Sequence, residues 1–199
     1  MTRFLLIRHA SCGLNSEMIA GWMGGVHLNE AGKNQAEELG LRLLPARLGA
    51  VYSSPLERAQ ETAEPIARIS NLEVILREGL GEVHSGDWTG ARFQELEHLP
   101  EWKQFQANRG SVRIPNGETL AEVQARISAE MLEIASKHEG ATVAVVSHGD
   151  VIRCALAHFA GVPLDLSIRL QIDAASVSIV ELGEWGPRIV RLNVTSKLF

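Results

Sequence analysis

Cysteine is scarce: the 199 residues hold only Cys12 and Cys154, far apart and outside any C-x-x-C pair. That usage excludes a disulfide scaffold and a thiolate zinc site, and it suits a reducing compartment. Excess positive charge is also lacking, since 19 Lys and Arg face 24 Asp and Glu for a formal net charge of -5. A nucleic-acid surface needs a clustered basic excess, so nucleic acid is not an expected partner. A local cationic pocket for a small anion survives within an acidic protein. Long apolar runs are missing as well. The opening run, Phe4-Leu5-Leu6-Ile7, is too short for a membrane span or a signal peptide. The expectation is a cytoplasmic protein with no membrane partner. No linker, repeat or low-complexity tract interrupts residues 1–199, and a 45% hydrophobic composition can bury one sizeable core. One domain is expected, and a homo-oligomer is left open.

What is present begins with that opening run. A continuous apolar stretch reads as a strand buried on both faces, and it ends in Arg8-His9. Thr142 to Val146 is a second such run and ends in Ser147-His148-Gly149. Two buried strands therefore deliver a histidine to the carboxyl edge of a sheet, where open α/β sheets bind ligands. Between them lie a loop with a short helix around Asn15 to Ile19, a helix from about Glu30 to Leu44 capped by Asn29, and a short strand at Ala50 to Tyr52. Ser54-Pro55-Leu56-Glu57 reads as a capping box that starts a helix running to about Ile69, with Arg58 in its first turn. A third strand is expected at Leu72 to Leu76, then a glycine-punctuated loop from Glu78 to Gly90. Helices follow at about 91–98, 101–108, 118–138 and 150–159. Ile168 to Ile172, Ser176 to Leu182 and Arg188 to Val194 read as strands, the last two a hairpin. Alternating βα units with a late antiparallel addition imply an α/β fold, a largely parallel sheet covered on both faces.

If Arg8, His9, Arg58 and His148 meet at one sheet edge, they form a cage of charge-assisted donors suited to a phosphoryl dianion. Backbone amides at the first turns of the helices at Pro55 and Gly149 can add to it. A neutral imidazole can attack phosphorus through one ring nitrogen while the other is fixed by a main-chain acceptor. On spacing alone His9 or His148 can play that part. The departing alkoxide needs a proton, for which Glu82 is the leading candidate. No H-x-x-x-H helix, acidic cluster or His/Cys set at ligand spacing is visible, so neither a metal nor another cofactor is expected. Cys12 lies near His9, but a cysteine phosphatase loop needs an arginine six residues on, where Met18 stands. His27, His98 and His138 read as solvated, and Trp88 as core.

Four ordered blocks carry a resemblance. Arg8 to Asn15 is similar to an R-H-G-E-T-x-W-N opening, and Ser53 to Ala63 to S-S-x-L-x-R-A-x-x-T-A. Leu80 to Gly90 is similar to L-x-E-x-x-x-G-x-W-x-G, and Ser147 to Arg153 to S-H-G-x-x-I-R. The sequence resembles the histidine phosphatase superfamily, in its phosphoglycerate mutase-like branch, from residue 3 to about 194. The resemblance implies a three-layer α/β/α fold around a mostly parallel six-stranded sheet with one antiparallel strand. It implies that His9 is the phosphorylated nucleophile, that Arg8, Arg58 and His148 hold the phosphoryl group with help from Asn15, and that Glu82 is acid and base. The substrate would be a small phosphate monoester. A phosphoglycerate mutase is the alternative of like chemistry, and a non-catalytic phosphate-binding module the alternative of another class. Ala10, Ser11 and Cys12 replace the family's Gly-Glu-Thr and Leu14 its Trp, so Ser11, Cys12, Trp22 and His84 are expected to shape the choice of leaving alcohol. The compact length resembles the phosphatases more than the mutases.

Overall fold

The computed structural model describes residues 1–13 and 17–196. Six strands form one sheet: β1 (Thr2–Arg8), β2 (Ala50–Ser53), β3 (Val74–Leu76), β4 (Thr142–Ser147), β5 (Val177–Gly183) and β6 (Gly186–Val194). Their order across the sheet is β3-β2-β4-β1-β5-β6. Strands β3, β2, β4 and β1 are mutually parallel, while β5 runs against both β1 and β6. One strand of the six therefore opposes the rest, as the resemblance implies.

The helices are α1 (Glu30–Leu43), α2 (Glu57–Ser70), α3 (Phe93–Leu96), α4 (Pro100–Ala107), α5 (Leu120–Lys137) and α6 (Gly149–Ala160). Alternation along β1 divides the run between two cores. Phe4 and Leu6 pack with Val123, Ile127 and Met131 of α5 and with Val151 and Leu156 of α6. Leu5 and Ile7 pack with Ala36, Leu39 and Leu43 of α1 and with Ala59, Ala63 and Ile66 of α2. Both faces are covered, which is why Phe4 to Ile7 and Val143 to Val146 run without a polar residue. Each fully buried Leu or Ile contributes about 1.5–3 kcal/mol relative to exposure.

Parallel register aligns the carboxyl ends of three strands. Arg8 stands opposite Ser147, and Ser53 opposite Val146. The next residues, His9, Ser54 and His148, therefore emerge along one edge. His9 N–H continues the ladder to the Ser147 carbonyl at 2.9 Å, and Ser54 N–H to Val146 at 3.0 Å.

Several expectations are corrected. The Ser54 capping box does not form: Leu56 is extended and helix α2 begins only at Glu57, too late for Ser54 to cap it, while the Ser54 hydroxyl lies against His148 and accepts the Leu56 N–H. Ile168 to Ile172 is not a strand. A 3-10 turn covers Leu164–Arg169, and the carbonyls of Leu170 and Ile172 accept from Arg153 and Arg8 instead of a ladder. Residues 17 to 19 are not helical, since Met18 bridges to Arg92 and Ile19 N–H donates to the Ala91 carbonyl. Thr119, with Glu122, forms a capping box that moves the start of α5 to Leu120. His138 is not simply solvated, because its Nε2 pairs with the Tyr52 hydroxyl at 2.9 Å. The β5–β6 hairpin turns over Glu184 and Trp185, and Trp185 is fully exposed. Among the described residues no helix is long and apolar enough to cross a membrane.

Candidate active site

A cavity of about 380 Å³ opens at this strand edge, and its walls include Arg8, His9, Arg58, Glu82 and Gly149. His9 is held by its own chain: ring Nδ1 lies 2.9 Å from the Ala10 carbonyl, so this nitrogen carries the proton and donates, leaving Nε2 as a free lone pair. Burial, with Arg58 and Arg8 nearby, lowers the pKa of His9 to about 3 against the opposing pull of the Ala10 carbonyl, so the ring is neutral at ordinary pH.

His148 lies immediately behind, its ring centroid 5.2 Å from that of His9, and it is wholly buried. Burial first, then the closeness of the His9 ring, which opposes both imidazoles being protonated, and the charge of Arg58 hold its pKa well below the usual imidazole range. Its Nε2 is 2.8 Å from the Ser54 hydroxyl, which already accepts the Leu56 N–H. A neutral ring accepting the serine proton at Nε2 carries its own proton on Nδ1. That Nδ1 has no hydrogen-bond partner among the described residues and stands 3.8 Å from a Glu82 carboxylate oxygen.

Two arginines complete the cage. Buried Arg58 anchors one nitrogen on the Gly21 carbonyl at 2.8 Å, and its other terminal nitrogen, Nη1, is unpartnered among the described residues. Arg8 anchors on the Ile172 carbonyl and leaves Nε likewise unpartnered. Three buried donors without partners at one place are uncommon in folded proteins, where nearly all such groups are satisfied. A phosphoryl oxygen would satisfy them.

The Glu82 carboxylate accepts the Val83 N–H at 2.9 Å. Burial, then the like charge of Asp150, raises its pKa to about 7, despite opposing pulls from that hydrogen bond and from Arg58 and Arg8. A carboxyl half protonated near neutrality can donate a proton and later accept one.

The other residues expected from the sequence divide. Cys12 lines the cavity, whereas Ser11, Trp22 and His84 do not. The Ser11 N–H is turned to Gln35 Oε1. Trp22 stacks on His84 at 4.4 Å, and its indole N–H donates to the Glu82 carbonyl, so the pair buttresses the acid loop from behind. Asn15 lies outside the described residues. Trp88 is core and also touches the cavity.

Sequence reasoning missed Arg109, Asp150 and Arg153, all on the cavity wall. Asp150 bonds Arg153 at 2.9 Å and meets Arg109 at 3.4 Å. Arg109 is buried over the Phe105 ring at 5.3 Å. Asp150 and Arg153 fall inside a recognisable motif block and share a helix face at i and i+3, a signal present in the sequence. Arg109 follows α4 in an irregular loop and carries none.

Comparison with known proteins agrees with this geometry. The chain matches the family model "Histidine phosphatase superfamily (branch 1)" over residues 4–195. It is 34% identical over 200 residues to phosphoserine phosphatase 1 of Hydrogenobacter thermophilus, covering 100% of this chain and 95% of that one. It is 39% identical over 154 residues to phosphoglycerate mutase-like protein 4 of Arabidopsis thaliana, covering 75% of this chain and 67% of the other. A mutant phosphoserine phosphatase from Entamoeba histolytica, solved with phosphoserine, superposes with a TM-score of 0.90 at 26% identity over 100% of both chains. With a family match spanning nearly its whole length, and with Arg8, His9, Arg58 and Glu82 of separated sequence blocks on one cavity wall, the chain belongs to branch 1 of the histidine phosphatase superfamily.

Proposed function

We propose that this chain hydrolyses small phosphate monoesters through a phosphohistidine at His9. The observation that carries the reading is the free Nε2 of a neutral His9 beside three unpartnered donors, Arg8 Nε, Arg58 Nη1 and His148 Nδ1. The phosphoryl group enters with its oxygens on those donors. Nε2 attacks phosphorus as the P–O bond to the alcohol breaks, and Glu82 gives its proton to the leaving oxygen. Glu82, now a carboxylate, takes a proton from water as that water attacks phosphorus, the P–N bond breaks, and inorganic phosphate forms. The guanidiniums stabilise the charge on the equatorial oxygens throughout.

For the substrate, O-phosphoserine is the favoured candidate, with serine as the leaving alcohol. Two relatives carry phosphoserine phosphatase in their names, and Arg109 and Arg153 add cationic character to the wall beyond the phosphoryl cage. The Gly149 amide, at the start of α6, borders the same space and supports the phosphate. The chemistry needs no metal in this scheme. Free thiols at Cys12 and Cys154 fit a cytoplasmic setting.

The test is turnover of p-nitrophenyl phosphate and O-phosphoserine in EDTA. Wild type should release phosphate from both, and His9→Ala from neither. Equal turnover by His9→Ala, or none by wild type, overturns the reading. The mutase-like relative motivates one further arm: 3-phosphoglycerate with a bisphosphate primer should yield inorganic phosphate and glycerate rather than an isomer.

A further inference from the structure

Glu82 sits in a segment with little regular structure, between a 3-10 turn at Glu78–Leu80 and another at Gly86–Trp88. A general acid must nevertheless meet the leaving oxygen within a few tenths of an ångström, because misplacement by about 1 Å can cost on the order of 100-fold. Its own carboxylate has only the neighbouring Val83 N–H as a hydrogen-bond donor among the described residues, so the side chain is positioned chiefly through its backbone.

That backbone is gripped from α5. Arg126 Nη1 donates to the carbonyls of Gly79 at 3.0 Å and Gly81 at 2.8 Å, and Nη2 donates to the carbonyl of Glu82 itself at 2.8 Å. The same guanidinium is oriented by Glu118, with Nε on one carboxylate oxygen at 2.9 Å and Nη2 on the other at 3.1 Å. Glu118 reaches the loop too: its carboxylate accepts the His84 N–H at 2.9 Å, and its own N–H donates to the His84 carbonyl. Trp22 closes the far side. Its indole N–H shares the Glu82 carbonyl, and its ring lies so close to Gly81 that a Cβ there would fall 2.2 Å from it. The planar five-donor fork of arginine suits this job, whereas a lysine ammonium cannot span three carbonyls and a bidentate carboxylate together.

We propose that Arg126, locked by Glu118, is the positioning residue for Glu82, setting where the acid proton stands relative to the leaving oxygen. This rests on Glu82 being the acid of the proposed phosphatase. Arg126 is not part of the cavity wall and acts through the three carbonyls.

The assignment has a signature that general loosening of the fold lacks. p-Nitrophenolate departs as an anion and needs little protonation, while an alkoxide needs the acid. The experiment compares kcat/KM for p-nitrophenyl phosphate and for an alkyl ester, O-phosphoserine, in wild type, Glu82→Gln, Arg126→Met, Arg126→Lys and Glu118→Gln. Glu82→Gln should lower the alkyl-to-aryl ratio on the order of 100-fold. Arg126→Met should lower it about 10- to 100-fold, with Arg126→Lys in between and Glu118→Gln a smaller drop in the same direction.

If wild type turns over neither ester, or His9→Ala turns over both, the phosphatase reading fails and takes the inference with it. If Glu82→Gln leaves the ratio unchanged, the acid assignment is wrong and the inference falls. If Glu82→Gln shifts the ratio but Arg126→Met lowers both esters in equal proportion, Arg126 is only a structural residue and the proposal is overturned. Should Arg126→Met not fold, an unchanged ratio in both Arg126→Lys and Glu118→Gln overturns it equally.

Discussion

His9 and Glu82 border the same cavity but are held in unlike ways. His9, the proposed nucleophile, stands one residue beyond a central strand, its N–H still in the ladder and its ring tied to the next carbonyl. Glu82, the proposed acid, hangs in an irregular loop whose carbonyls are bonded by Arg126 of α5 and by Trp22. Ladder hydrogen bonds follow from the fold itself and need no particular side chain. A loop held by side chains depends on a few particular residues, Arg126 first among them. Substitutions around the nucleophile should therefore act through chemistry, and those around the acid through placement.

The comparison can be broken most directly at His9. His9→Ala should lower kcat on the order of 10⁴-fold with the fold retained, and enzyme quenched in alkali, where a phosphohistidine survives, should no longer carry phosphate. Next comes the cage. Arg58→Met should lower kcat/KM for every ester by about 10²- to 10³-fold, with no dependence on the leaving group, because it serves the phosphoryl oxygens. The acid side has a pH signature. With the Glu82 pKa near 7, the protonated acid is depleted above that value, so kcat/KM for an alkyl ester should fall about tenfold per pH unit there. Glu82→Gln should abolish that limb, and a limb that persists would assign it to another group.

Ser54→Ala sharpens the nucleophile side. It removes the proton that fixes the His148 tautomer, and a loss of about 3- to 10-fold in kcat is expected, read by steady-state kinetics. The smallest effect is on stability. His9 has its pKa lowered from 6.5 to about 3, so the unfolded chain binds more protons between those values and stability falls as pH drops through 6.5. Melting temperature should decline between pH 7 and pH 5 by a few degrees less in His9→Gln than in wild type.

Much of this is legible in the sequence because it depends on local pattern. Arg8-His9 and Ser147-His148 sit at the ends of apolar runs, and parallel register alone brings them together. The two-sided burial of β1 can be read from Phe4 to Ile7. What the sequence conceals depends on long-range competition. Ser54 has the letters of a helix cap, yet the helix starts only at Glu57 and the hydroxyl meets a histidine 94 residues away. Ile168 to Ile172 has strand-like composition, yet two arginine side chains satisfy its carbonyls. Arg126 and Glu118 look like ordinary charges at the start of an amphipathic helix, and nothing in their spacing reveals that the loop before them bends back to meet them. Trp22 and His84 stand out in the sequence as residues for the mouth of the pocket, whereas the fold uses them to brace the acid from behind.

The bare indole at the tip of the β5–β6 hairpin has a practical consequence. Trp88 and Trp102 border the cavity and Trp22 touches the acid loop, whereas Trp185 is fully exposed. Replacing that residue with phenylalanine silences the solvent-borne fluorophore. The remaining emission, dominated by indoles on or near the cavity wall, should then change when the cavity fills, an expectation that titration with inorganic phosphate checks without a dye, a label or a coupled assay.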